Sequence, residues 1–348
     1  DWSSDVCSSD LLFLSCDVWT RWARCFSILR HCFPHAHHPP PRLLVRCRSC
    51  THSVIPMLRT SGFWTFSTNL VLYFPPAARA PLAQRPALAQ LADGWATSLP
   101  IASWEPFGQE AILRRLAPRA AAASRLFQPP GTPPLAFPWS VNPWVIVLRD
   151  RPDLARQDDR GWDLLLDPSL KGQLVLPSSP RVVMALVNED PDRLCQLRRQ
   201  ALAYDDRDGM NFLLSGPAQA AVLPRQRVLP LLRRDPRLTV LLPAQGAPQT
   251  WSLLLRPAGV KAIPPAEWLE ACLKPPLLPR LLAGGWVPPL PRPALVEALQ
   301  GFPPSLQRLL LPPESVLDRC ESLPPLSLPE RRRLQEIWNL STNCSQRT

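Results

Sequence analysis

The side chains of this 348-residue chain on which catalysis or metal binding would draw are unevenly spread: all five histidines and six of the ten cysteines precede residue 53, and only two tyrosines occur. Cys47-x-x-Cys50, with His31, His35, His37, His38 and His52, offers ligands suited to zinc, but a second pair at the spacing of a finger is absent. After His52 there is no histidine and no glycine-rich phosphate loop, so a nucleophile, a base and an orienting group are hard to assemble. Asp205, Asp206 and Asp208 could do acid–base work, yet Asp208, just ahead of an expected helix, reads first as an N-cap. No catalytic residue, metal ligand or cofactor is assigned, and the chain is not expected to be an enzyme.

Charge points no more firmly to a partner. The formal net charge is +11, but nine arginines and no acidic residue lie between Arg21 and Ala92, while the remaining 256 residues hold 30 basic and 24 acidic groups. Arg225, Arg227, Arg233, Arg234 and Arg237 form the densest basic cluster of that later region. They read as the solvated face of a helix, and no aromatic residue is interleaved with them for stacking on bases, so no nucleic-acid partner is expected. A basic, proline-rich scaffold or nucleic-acid-binding protein is the alternative reading, resting on those arginines and on the Pro-x-x-Pro spacing at Pro288 to Pro291.

The elements that must position any site are short, because 46 prolines each remove a backbone donor and clash with a preceding helical turn. No stretch has the roughly 18 consecutive apolar residues of a membrane-spanning helix. Residues 1–75 read as a non-native leader without sustained period. The first eleven resemble the translation of a short-read sequencing adapter, and Leu11 to Cys16 only loosely resembles a lipoprotein signal. The true leader is expected to be missing. Beyond it, the pattern predicts an amphipathic helix over Gln109 to Leu126 and buried strands at Trp144–Leu148, Leu174–Leu176, Ala220–Leu223, Leu238–Leu242 and Trp251–Leu255. Helices are expected at Pro180–Val187, Pro191–Leu202, Gly209–Leu214 and Arg225–Arg234. The alternation implies an α/β fold with much of its sheet parallel. After residue 263 short helices dominate, at Glu267–Leu273, Leu277–Ala283, Pro293–Leu299, Leu306–Leu310, Ser315–Glu321 and Pro329–Trp338. Cys195, Cys272, Cys320 and Cys344 are too widely spaced to suggest a pairing.

The block Gly161-Trp162-Asp163-Leu164 through Lys171-Gly172-Gln173-Leu174-Val175-Leu176 resembles a stretch of the spermidine/putrescine-binding family of periplasmic solute-binding proteins. Four later stretches are similar to that family in order and spacing: Pro177-Ser178-Ser179-Pro180-Arg181, Asp206 to Gly216, Pro243 to Trp251, and Gly285-Trp286-Val287-Pro288. The resemblance covers roughly residues 91–300. It implies a two-lobed, type II periplasmic binding protein: lobe 1 over 76–148 and 249–348, with its opening strand missing or scrambled, and lobe 2 over 149–248. The implied function is the extracellular solute-binding component of an ABC importer, a monomer that is periplasmic or lipid-anchored and partners with the transporter's membrane permease subunits.

The same resemblance nominates the ligand-binding residues. Trp251 matches a tryptophan that stacks on the ligand, and its alternative is a core role at a strand start. Trp139, Trp144 and Trp286 could line the cleft or simply pack. Ser179 could make a polar contact or cap its helix, and Arg181 could meet an anion or a structural ion pair. Where the family sets carboxylates against ammonium groups, this chain has Ser179, Val182 and Leu253. A buried dication would then face an uncompensated desolvation cost of several kcal/mol per charge, which disfavours a polyamine itself; the expected solute is polyamine-like or another small organic molecule. Iron is disfavoured as well, since Tyr204 is the one tyrosine of the region.

Overall fold

Strand β3 (Ala136–Arg149) decides the architecture, because it changes partners half-way along its fourteen residues. A computed structural model describes residues 88–125 and 131–343. The adapter-like start, the Cys/His cluster and Cys344 lie outside the described residues. Residues 136–143 of β3 pair antiparallel with β8 (Pro248–Pro257), whose far side carries β1 (Ala89–Ala92) and β2 (Trp104–Glu105). From Trp144 onward β3 instead pairs with β6 (Ala220–Pro224) and β7 (Leu238–Leu241), and β6 continues through β4 (Leu174–Leu176) to β5 (Ala201–Tyr204). Two sheet regions thus share one strand, with the change of partner at Pro143 and Trp144.

The two-residue period of β3 sorts its side chains between cores. Trp144, Ile146 and Leu148 enter one cluster with Leu164, Leu174, Val183 and Leu194, while Val145 and Val147 enter another with Leu213, Leu223 and Val228. A bulge between Pro138 and Ser140 flips this parity in the first half. Phe137 and Trp139 therefore pack on one face with the helical layer, and Val141 on the other with Leu91, Trp104 and Trp251.

Helices follow the strands in chain order. They are α1 (Asp93–Ser98), α2 (Glu110–Leu113), α3 (Ala121–Arg125), α4 (Pro152–Ala155), α5 (Pro180–Leu186), α6 (Pro191–Gln200), α7 (Gly209–Leu214) and α8 (Arg225–Leu232). Then come α9 (Ala266–Cys272), α10 (Leu277–Ala283), α11 (Arg292–Leu299), α12 (Pro304–Leu310) and α13 (Glu314–Leu317). The short strand β9 (Glu321–Ser322) precedes α14 (Leu328–Asn343). Most start on proline or directly after it, where the missing amide costs nothing.

Several expectations are corrected. The single helix over Gln109 to Leu126 is broken into α2, a 3-10 turn at Pro118–Ala120 and α3, because Pro118 cannot continue a helix. The helix Pro191–Leu202 ends at Gln200 and its last residues are β5. The helix Ser315–Glu321 shortens to α13 and gives way to β9. The sheet is mixed: among the described residues β4–β5, β4–β6 and β8–β9 pair in parallel, and every pairing of β3 is antiparallel. The long strand shared by both regions runs against its neighbours, which hydropathy alone does not reveal.

Candidate ligand site at the lobe junction

The crossing of β3 and β8 is surrounded by polar side chains that a core would otherwise exclude. Asn142, fully buried on β3, donates from Nδ2 to Gln226 Oε1 at 2.7 Å and to Ser140 Oγ at 3.2 Å. Arg225, at the start of α8, is 2% exposed and pairs with no carboxylate among the described residues. Its Nη1 donates to the Leu309 and Leu310 carbonyls at 2.9 and 3.2 Å, and its Nη2 to the Val141 carbonyl at 3.1 Å. Burial pushes this guanidinium down to about 9. The solvated face holds only for part of the arginine cluster: Arg233, Arg234 and Arg237 are exposed, but Arg225 is interior. Arg225 ties the C-terminal helices to β3, Arg227 meets Asp206, Arg233 lies 5.3 Å over the Phe302 ring, and Arg237 pairs with Asp235 at 2.7 Å.

Asp93, which follows β1 and is 8% exposed, supplies a carboxylate at this junction. Burial raises its pKa to about 6 against the opposing pull of the Trp251 amide, the Thr250 hydroxyl and the Gly94 amide. Thr250 Oγ1 donates to Asp93 Oδ1 at 3.0 Å. Next along β8, Trp251 is 1% exposed and its Nε1 donates to Ser322 Oγ at 2.7 Å. Ser322 is delivered by β9, which pairs in parallel with β8 at Pro248 and Gln249. The chain then runs on through Leu323 and Leu326, packed on the core that holds Trp144, into α14. A third segment thus passes between the sheet regions alongside β3 and β8.

From the other side, α5 touches β8. The turn entering α5 is pinned by Asp206, whose Oδ1 accepts from the Ser178 amide at 3.0 Å and the Ser178 hydroxyl at 2.6 Å. Ser179 occupies the N-cap position with Pro180 as first helical residue, but its hydroxyl makes no capping bond. Asp208 likewise stands at the N-cap of α7 without capping it and accepts from Asn211 Nδ2 at 3.2 Å; Asp205 takes the Arg207 and Asp208 amides instead. Arg181 is partly buried in the first turn of α5.

Trp251, Ser179 and Arg181 are therefore carried on elements that meet at the junction. Trp139 stacks parallel on Trp268 at 5.8 Å and shares its core with Trp286, while Trp144 packs in the core of the other sheet region. Asp93, Asn142, Gln226 and Arg225 were not singled out as site residues from the sequence. Asp93 and Asn142 offered a signal, each being a polar residue next to an apolar strand run, but Gln226 and Arg225 looked like ordinary helix surface.

No protein-family model matches this chain and no curated protein does. Solved structures do. The spermidine/putrescine ABC transporter substrate-binding protein PotD of Streptococcus pneumoniae superposes with a TM-score of 0.58 at 12% identity, over 78% of this chain and 87% of that one. The chain has the fold of a two-lobed solute-binding protein. The Tp0655 (TpPotD) lipoprotein of Treponema pallidum matches with a TM-score of 0.55 at 14% identity, covering 74% and 84% of the two chains. An ABC transporter protein from Clostridium perfringens gives 0.51 at 14% identity over 78% and 86%.

Proposed function

We propose that the chain is the extracellular solute-binding component of an ABC importer, a monomer that captures a small solute between two lobes and presents it to membrane permease subunits. Of the expected lobes, one is built on described residues up to 148 and on 249–317 and the other on 149–248, and α14 packs on the second through Leu334 and the Arg198–Ser341 hydrogen bond. The observation that carries this reading is the pair of strands β3 and β8 at the junction: β3 is shared by both sheet regions, and separate cores lie to either side. Strands shared in this way suit a hinge, and closure about a hinge is how two-domain receptors trap ligands. Ser179 and Arg181 are the proposed ligand contacts, while Trp251, 1% exposed in the core of the first sheet region with its indole N–H on Ser322, backs the junction from within. Trp139, Trp144 and Trp286 support the lobes from within, and a periplasmic or lipid-anchored location follows from the same role.

Burial pushes the Cys272 thiol up to about 12 and raises Cys320, so neither offers a thiolate near neutral pH. The test is X-ray scattering and intrinsic tryptophan fluorescence of the full chain during titration with small solutes. A shrinking radius of gyration that tracks a fluorescence change supports closure on a ligand. Unchanged scattering at saturating solute refutes it.

A further inference from the structure

We propose that this junction holds its solute through a carboxylate, received by Arg181, and so selects organic acids or zwitterions over polyamines; the inference rests on the solute-binding reading above. Arg181 stands in the first turn of the helix that touches β8, behind a turn that Asp206 holds in place through Ser178. It is partly buried, yet its side chain makes no ion pair and no hydrogen bond with any described residue. Every acid whose charge reaches it is committed elsewhere. Glu330 accepts from the Ser327 amide and hydroxyl at 2.8 and 2.6 Å, Glu189 pairs with Arg333 at 2.6 Å, and Asp93 is taken by Thr250 and by backbone amides. Burial lowers the Arg181 pKa against the opposing pull of Glu330, Asp93 and Glu189.

The apolar and neutral residues around it agree. Val182 and Leu253 are buried in cores and Ser179 bears no charge, so the three positions offer a diamine nothing to pair with. A guanidinium matches a carboxylate with two parallel hydrogen bonds, and binding would then replace hydration lost on folding.

The experiment titrates the full chain with succinate, 4-aminobutyrate, putrescine, spermidine and maltose by calorimetry, and repeats it on Arg181→Gln, Arg181→Lys and Glu330→Gln. Succinate or 4-aminobutyrate should bind, Arg181→Gln should weaken it about 30-fold or more and Arg181→Lys less, while Glu330→Gln leaves it intact. Binding of either succinate or 4-aminobutyrate supports the carboxylate. Binding of putrescine, spermidine or maltose that survives Arg181→Gln overturns this inference and leaves solute capture standing. Silence across all five probes, without any lobe closure, removes both.

Discussion

Asp93 gives the molecule a stability signature that replacing its carboxyl by an amide should erase. Its pKa is raised from 3.8 to about 6, a displacement of about two pH units, which at 1.36 kcal/mol per unit amounts to about 3 kcal/mol. The sign follows from proton binding. The folded state holds the Asp93 proton more tightly than the unfolded chain, so between pH 4 and 6 stability falls as pH rises. The favourable contribution is complete below pH 3.8 and gone above about 6. Asp93→Asn stays neutral throughout and keeps an oxygen for the Thr250 hydroxyl and the Trp251 amide. Exchanging the second oxygen for an amine costs about 1 kcal/mol at every pH, so the diagnostic quantity is the change in the difference between the two chains, not its absolute value. Urea unfolding of both at pH 4, 5, 6 and 7 should show the variant gaining about 3 kcal/mol on the parent across that range. The depressed carboxylates Asp153 and Asp167, both near 2, titrate below the window and are shared, so they cancel. A difference that is flat with pH, or that turns against the variant as pH rises, would show that Asp93 is solvated and not enclosed by β8 and α1.

Two further substitutions probe the segment that joins β9 to the junction. Ser322→Ala leaves the Trp251 indole N–H buried without its acceptor and should lower stability by about 1–3 kcal/mol in equilibrium urea unfolding; no measurable loss would place that indole in water. At Gly246 the backbone has φ 87° and an added Cβ would lie 2.2 Å from the Arg319 carbonyl, so Gly246→Ala should cost well over 1 kcal/mol by thermal unfolding. Gly172, with φ 70° and open space around it, is the control: Gly172→Ala should cost only about 1 kcal/mol of backbone strain. Equal losses at the two glycines would argue against the close approach of residues 246 and 319.

Much of the second sheet region was legible beforehand. The apolar runs that became β4, β6 and β7 and the helices α5, α7 and α10 begin where the pattern puts them, because proline and glycine punctuation marks their ends. Strand β5 was hidden: Ala201-Leu202-Ala203-Tyr204 continues the helical spacing of α6, and pairing with β4 overrides it. The loss of the long helix over 109–126 has the opposite cause, since there a local rule about Pro118 outweighed a favourable period.

What the residues by themselves determined was the alternation of elements, the apolar faces and the lack of any histidine after residue 52, since these depend on composition and near neighbours. Only the tertiary structure decided that β3 serves two sheet regions, that Arg225 is interior and that Asp93, Thr250, Trp251 and Ser322 form one chain of contacts. Those facts depend on groups up to 229 positions apart in numbering, from Asp93 to Ser322. Periodicity reports which way a side chain faces its own element, but burial of a charge and the company it keeps are set by whichever distant segment closes over it.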